Sequence, residues 1–131
     1  MKTSKFRVSI FSDNPDRLKE FYTNVLMFKE TVKVDRPEEY GYGIEVAKGY
    51  KIWIAKHSKV KGKSNDKFRI MLSFYVDDIK GFFDKVIKES KVKIIESPIL
   101  ACVGIKGEER IICSFLDPDS NLIQMVQLTG N

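Results

Sequence analysis

Histidine, cysteine and tryptophan are scarce in this chain of 131 residues, which contains one, two and one of them respectively. A metal centre built from His and Cys needs several such side chains at recurring spacings. His57, Cys102 and Cys113 stand at unrelated spacings and match no zinc motif. The sequence therefore predicts no metal site of that kind.

Long apolar runs are also missing. No stretch approaches the roughly 20 apolar residues that span a bilayer, so we expect no membrane partner. The first seven residues lack the apolar core of a signal peptide, which favours a cytoplasmic protein. The length fits a single domain, 1–131, that buries its own core.

The two cysteines lie in apolar surroundings, eleven positions apart at 102 and 113. In a reducing compartment such residues usually remain unpaired and behave as small apolar side chains. We therefore expect two buried free thiols rather than a disulfide.

The net charge of +5 is concentrated around one connector, in Lys56, Lys59, Lys61, Lys63 and Lys67. A nucleic-acid interface would interleave basic and aromatic residues on one face, and that pattern is lacking. The lysine run is typical of a solvated loop, so we expect no nucleic-acid partner. The charge favours an anionic small molecule over a cationic one.

Hydrophobic periodicity predicts the same order of elements twice. Alternation over 6–12 predicts a strand, and Asn14 followed by Pro15 predicts the start of a helix. The apolar stripe of that helix has helical spacing and consists of Leu18, Phe21, Tyr22 and Val25. Asp78 marks the second helix start, after a strand over 68–76. The remaining predicted strands are 29–34, 42–47, 50–57, 92–96, 110–116 and 122–128. A looser segment from Pro98 to Gly104 has room for another strand.

The two halves therefore resemble each other internally. Phe11-Ser12-Asp13-Asn14 and Tyr75-Val76-Asp77-Asp78 each end a strand and cap a helix, 64 positions apart (11 to 75). This predicts an α+β fold of paired βαβββ modules, at 1–59 and 67–131 with a connector at 60–66. The mixed sheets are expected to form a concave surface, with the helices on the outer faces.

Two segments resemble the vicinal oxygen chelate superfamily, which includes glyoxalases, bleomycin-resistance proteins and extradiol dioxygenases. The first is the helix segment Asn14–Phe28, with its Phe-Tyr pair followed by Val-Leu-Met-Phe. The second is the closing turn and strand Asp117–Gln124. The family usually has Gly at the positions of Met27 and Ser120, so the resemblance implies locally different turns there.

The resemblance also implies four metal-ligand positions, usually His, Glu, His and Glu, on the inner strand faces. In this chain they are Arg7, Trp53, Met71 and Gln124. Arg stays protonated, Trp has no lone pair to offer, Met is soft and Gln is neutral. The resemblance therefore predicts the family fold without its metal or any other cofactor.

Strand parity places further side chains on the same faces as these four. The predicted ligand-binding residues are Arg7, Ser9, Phe11, Trp53, Met71, Ser73, Tyr75 and Gln124. We predict no catalytic residue, because Ser9 and Ser73 lack an adjacent base and His57 lacks a carboxylate to orient it.

Alternatives remain for two of these side chains. Arg7 either holds a ligand carboxylate or phosphate, or pairs internally with Glu45, Glu108 or Glu109. Trp53 either stacks on a planar ligand or fills core volume.

We therefore expect a metal-free protein that sequesters or senses a small aromatic or anionic ligand in a concave pocket. The bleomycin-resistance branch works as a dimer, so the resemblance implies a homodimer. That branch binds cationic drugs in an acidic crevice, whereas this chain is basic. The alternatives are an enzyme (a lyase, isomerase or oxygenase with a non-standard site) and an interaction module without a small ligand.

Overall fold

The computed structural model describes residues 1–101, 106, 107 and 109–129. Two helices and eight strands follow one another in the order predicted from the sequence. The first half contains β1 (Val8–Ser12), α1 (Pro15–Glu20), a π-helical turn (Phe21–Val25), β2 (Lys29–Arg36), β3 (Glu39–Ala47) and β4 (Tyr50–Lys56). The second half contains β5 (Met71–Tyr75), α2 (Ile79–Glu89), β6 (Ile94–Ala101), β7 (Arg110–Leu116) and β8 (Leu122–Leu128).

The chain divides into two compact units, Met1–Gly62 and Lys63–Asn131, so the boundary falls inside the predicted connector. Each unit is a four-stranded mixed sheet with a helix on one face. The repeated βαβββ order and the α+β class predicted from the sequence are confirmed. Neither described helix is long and apolar enough to cross a membrane.

The first unit has the strand order β1-β4-β3-β2, with β1 and β4 parallel. Its helix begins as predicted: Asn14 caps it by accepting a hydrogen bond from the Arg17 backbone N–H at 3.2 Å, and Pro15 follows. The predicted apolar stripe is buried, with Leu18 and Tyr22 fully inaccessible to solvent. This stripe anchors the helix to one face of the sheet.

The second unit repeats this arrangement with the order β5-β8-β7-β6. Asp78 caps α2 by accepting from the Gly81 backbone N–H at 3.0 Å. Ile79, Phe83 and Val86 are buried on the helix. Cys113 is buried and unpaired on β7, as expected, whereas Cys102 lies outside the described residues.

Two expectations about local backbone were wrong. Met27 and Ser120 were expected to bring different turns, but both adopt the left-handed conformation, with φ of 63° and 66°. The backbone geometry is retained although neither residue is glycine, and this conformation costs a residue with a Cβ about 1–2 kcal/mol. The helix was also expected to continue as an α-helix through Val25, but it widens into a π-helical turn from Phe21.

The segment from Pro98 was expected to be looser, with room for a separate strand, whereas β6 continues through it to Ala101 as one strand. Proline cannot donate to a neighbouring strand and is tolerated at sheet edges and bulges. Both conditions hold here, because β6 is the last strand of its sheet and its pairing with β7 shifts register between Glu96 and Ile99. The expected strand at 92–96 therefore starts later and is longer than the pattern indicated. Residues 102–104, the last part of the segment expected to be looser, lie outside the described ranges.

Candidate functional site

Each sheet has one face that its helix covers and one face that it does not, and the latter is called the helix-free face. Alternation along β1 places Ile10 on the buried helix side and Ser9 and Phe11 on the helix-free face. In the parallel pairing with β4, Ser9 lies beside Trp53 and Phe11 beside Ala55. The structure therefore brings the predicted residues of the first unit onto one face.

Arg7 precedes β1 and lies against Trp53. Its guanidinium carbon is 5.2 Å from the centre of the indole ring, a cation–π contact. Arg7 is exposed, and it forms no ion pair with Glu45, Glu109 or any other acid within the described ranges. Glu108 lies outside those ranges. Within the described residues, the guanidinium is thus held by an aromatic ring, and its charge is left for solvent or a ligand.

Trp53 is largely buried, with 9% of its surface exposed. A Cβ on the neighbouring Gly43 would lie 3.5 Å from the Trp53 ring atom Cζ3 and 2.7 Å from Val32 Cγ1. The missing side chain at position 43 therefore leaves room for both neighbouring side chains. A planar ligand would have to displace Arg7 to stack on the side of the ring that it covers.

His57 lies at the other end of the β1–β4 pair. Its ring contacts Phe11 edge-on, with centroids 5.0 Å apart, and its Nδ1 accepts a hydrogen bond from the Lys59 backbone N–H at 3.1 Å. With Nδ1 accepting, the proton of the neutral imidazole resides on Nε2. His57 is exposed, as predicted.

The helix-free face of the second unit carries the other four predicted residues. Met71, Ser73 and Tyr75 alternate with the buried Phe74. Ser73 lies beside Gln124 in the β5–β8 pairing, and its hydroxyl donates to the Gln124 Oε1 at 2.9 Å. Ser9 beside Trp53 occupies the equivalent place in the first unit, so the duplication extends to the register of these side chains.

The residues at the four metal-ligand positions do not fit a transition metal. Arg7 is cationic and lies over Trp53, while the Gln124 amide oxygen already accepts from Ser73. Over the described part of the chain, no three His, Cys, Asp or Glu side chains come together in an arrangement that would hold a metal ion. The donor set that such an ion needs is therefore not assembled on either helix-free face.

Sequence reasoning missed a basic depression at the Arg7 end of the first unit. This open cavity has a volume of about 500 Å³ and is lined by Lys5, Phe6, Arg7, Gly49 and Lys51. A signal for it was present, because Lys51 shares strand parity with Trp53 and Lys5 stands two positions before Arg7.

A polar cluster on the helix-covered face of the first unit was also missed. Asp16 on α1 accepts hydrogen bonds from the hydroxyls of both Tyr40 and Tyr42 on β3. These bonds, Tyr40 first, hold the pKa of Asp16 below its usual value. Burial, and then the bond to Asp16, raise the pKa of Tyr42. Lys19 lies 4.9 Å from the Tyr42 ring centre, and the cluster ties the helix to the sheet.

Comparisons with known proteins agree with this geometry. A family model described as Glyoxalase/Bleomycin resistance protein/Dioxygenase superfamily matches residues 6–125. A search of curated proteins finds no match.

Solved structures of similar fold cover nearly the whole chain. The chain is similar to the genomically encoded fosfomycin resistance protein FosX of Listeria monocytogenes, with 12% identity, a TM-score of 0.69 and coverage of 98% of this chain and 96% of that one. It is also similar to a glyoxalase/bleomycin resistance protein/dioxygenase family enzyme from Burkholderia phytofirmans PsJN, with 18% identity, a TM-score of 0.71 and coverage of 94% and 97%. An integron cassette protein from the mobile metagenome of V. Cholerae shows 21% identity, a TM-score of 0.70 and coverage of 98% of both chains.

Proposed function

Since the chain belongs to the glyoxalase/bleomycin resistance protein/dioxygenase superfamily, we propose that it uses this fold to bind a small aromatic or anionic molecule without a metal ion. The ligand-binding residues proposed in the first unit are Arg7, Ser9, Phe11 and Trp53, and those proposed in the second unit are Met71, Ser73, Tyr75 and Gln124. Its biological role is to sequester or to sense that molecule.

The observation that carries the proposal is the state of the four positions where the family resemblance places metal ligands. None holds a side chain suited to zinc, iron or manganese. Three of them already have protein partners, because Arg7 and Trp53 contact each other and Gln124 accepts from Ser73. The two units nevertheless have equivalent strand registers at these positions, with Ser9 beside Trp53 and Ser73 beside Gln124. Strands in this arrangement without ligating side chains favour binding over metal-dependent chemistry.

Charge favours an anionic ligand. Arg7 has no acidic partner among the described residues, and the whole chain carries a net charge of +5. A cationic drug of the bleomycin type would meet like charge at this face. For the same reason we do not propose resistance to such drugs as its role.

A metal-free enzyme that combines Arg7 with His57 is less well supported. His57 contacts Phe11, which stands four strand positions beyond Arg7, a distance of about 13 Å along the sheet. The Nδ1 of His57 is already occupied by the Lys59 N–H, and its ring lies against Phe11, whereas the Arg7 guanidinium lies over Trp53. No contact among the described residues joins the two groups that such a mechanism would need to combine.

Homodimer formation belongs to the proposal, because members of this superfamily are often dimeric. Analytical ultracentrifugation at micromolar concentration is expected to give a mass of about twice 15.1 kDa. A monomer that still binds its ligand would remove the dimer from the proposal and leave the binding function in place.

The test of the binding function combines metal analysis with ligand titration. Elemental analysis of the purified protein is expected to find far less than one transition-metal ion per chain. Emission from Trp53, the one tryptophan in the chain, is expected to change on titration with aromatic carboxylates. Trp53→Phe should remove this signal but keep calorimetric binding. One tightly bound metal ion per chain would overturn the proposal.

A further inference from the structure

We infer that the basic depression formed by Lys5, Phe6, Arg7, Gly49 and Lys51 binds the doubly charged head group of a small anion that also has an apolar body. This inference rests on the proposed function, since it specifies which part of the ligand binds where. The shared chemistry is a compact dianion, supplied either by a phosphate monoester or by a dicarboxylate.

The sheet register brings the two strongest recognition groups together. Val8 pairs with Ile52 in the parallel β1–β4 ladder, so Arg7 and Lys51 stand side by side one step before that pair. Both alternate with residues on the helix side, which places them on the helix-free face. Lys5 lines the same cavity from the segment before β1.

The lining carries three positive charges and no acidic side chain. Glu45 stands opposite Lys51 on β3, and Lys29 stands opposite Glu45 on β2. No ion pair within the described ranges joins Lys51 to Glu45, and Lys29 adds a further positive charge to the row. The local charge excess is better balanced by a ligand with two negative charges than by one with a single charge.

Arg7 is placed for recognition before any ligand arrives. Its contact with Trp53 positions the guanidinium, while none of its five N–H donors is used by a described residue. A fixed guanidinium with free donors binds a carboxylate or phosphate in two-point fashion and loses less rotational freedom on binding.

The rest of the cavity accounts for the apolar body. Phe6 lines the cavity wall and is 89% exposed. An apolar ligand that packs on this ring would remove apolar surface from water, which favours binding. Gly49 contributes no side chain, and a Cβ there would meet nothing within 4 Å, so this side is open for entry. A volume of about 500 Å³ falls in the range of small-molecule sites.

A second cavity differs in chemistry. It lies in the second unit, has about 200 Å³, and is lined by Tyr75, Val76, Asp77, Gln127 and Leu128. It offers an acid and no cation, so of these two cavities the basic depression is the one that suits an anion.

The experiment is isothermal titration calorimetry in Tris buffer at pH 8 with phenyl phosphate, phthalate and benzoate. At this pH phenyl phosphate is a dianion, because its second pKa is near 6. We expect the two dianions to bind about tenfold more tightly than benzoate, and their affinity to fall as salt screens the charges. The stronger of the two identifies the head group as phosphate or dicarboxylate.

Two substitutions that each remove one positive charge distinguish a specific binding site from a general electrostatic attraction to the basic protein. Lys51→Gln is expected to weaken binding of the preferred dianion about tenfold, the loss of one charged hydrogen bond. Lys56→Gln changes the same strand at its far end and is expected to stay within about twofold. Circular dichroism checks that both variants fold.

The outcomes distinguish this inference from the function on which it rests. Equal losses in Lys51→Gln and Lys56→Gln, or dianions no tighter than benzoate, would overturn the basic depression as a site. If Arg7→Gln weakened benzoate while Lys51→Gln changed nothing, aromatic-anion binding would stand and the dianion site would fall. Absence of heat with all three probes up to millimolar concentration would count against both.

Discussion

Replacing Arg7 by alanine tests whether this residue serves a ligand or the fold. The contact that the replacement removes is a cation–π pair at 5.2 Å with an exposed guanidinium, worth about 0.5–1 kcal/mol. An arginine paired internally with a buried acid would instead cost about 3–5 kcal/mol when removed. The structure therefore predicts that Arg7→Ala stays folded and loses at most about 1 kcal/mol.

Urea unfolding followed by Trp53 fluorescence measures this loss directly. With a denaturant slope of about 1–3 kcal/mol per molar urea, the midpoint should fall by about 0.3–1 M. Native emission should shift to the red, because the indole loses the cation that covers it. Arg7→Met keeps an apolar stem without the charge and serves as the control for simple packing.

A ligand role adds a second requirement, that Arg7→Ala loses anion binding while its fold is kept. A destabilisation above about 3 kcal/mol would refute the reasoning, because the charge would then have a protein partner in the folded state. An unchanged affinity for aromatic anions in a folded variant would equally remove Arg7 from the ligand site.

Three further predictions concern features that the structure shows. Met27→Gly should raise the free energy of unfolding by about 1 kcal/mol, because Met27 has a φ of 63° and glycine adopts this conformation without strain. A lower stability of the variant in thermal unfolding would contradict this prediction. Tyr42→Phe should cost about 1–1.5 kcal/mol at pH 7 by removing a hydrogen bond to the Asp16 carboxylate. The pKa of Asp16 is lowered in the folded protein. The stabilisation from this hydrogen bond is therefore present above the unfolded pKa of about 3.9 and is lost as the pH falls through the lower folded pKa. The loss of stability caused by Tyr42→Phe should accordingly be smaller in urea titrations at about pH 2–3. Burial raises the pKa of the Cys113 thiol to about 11. In a Cys102→Ser variant at pH 8, the native protein should therefore react with a thiol reagent only after urea is added. Fast labelling of the native state would show that Cys113 is accessible.

Local chemistry in the sequence was enough to predict the helix starts and the duplicated order. Asn14 and Asp78 accept from backbone N–H groups within three residues of themselves, so their capping role requires no distant partner. Alternation along each strand likewise assigned Ser73 and Phe74 to opposite faces, because it depends only on the pleat.

Predictions that depended on a neighbouring strand were less successful. The length of β6 was underestimated because Pro98 normally ends a strand, and its position at the sheet edge is a property of strand order rather than of its own segment. The left-handed backbone at Met27 and Ser120 was also unexpected, because the folded turn imposes a conformation that these residues do not favour by themselves.

The sequence by itself determined the family fold and which residues stand at the four positions where the resemblance places metal ligands, since both are matters of residue type at given positions. The tertiary structure alone decided what those four residues contact. Arg7 lies over Trp53 and Gln124 accepts from Ser73 because strand pairing brings together residues that are 46 and 51 positions apart (7 to 53 and 73 to 124). The same pairing sets Lys51 beside Arg7 and creates the basic depression. Periodicity along one strand fixes which face a side chain occupies, but register between strands fixes its neighbours.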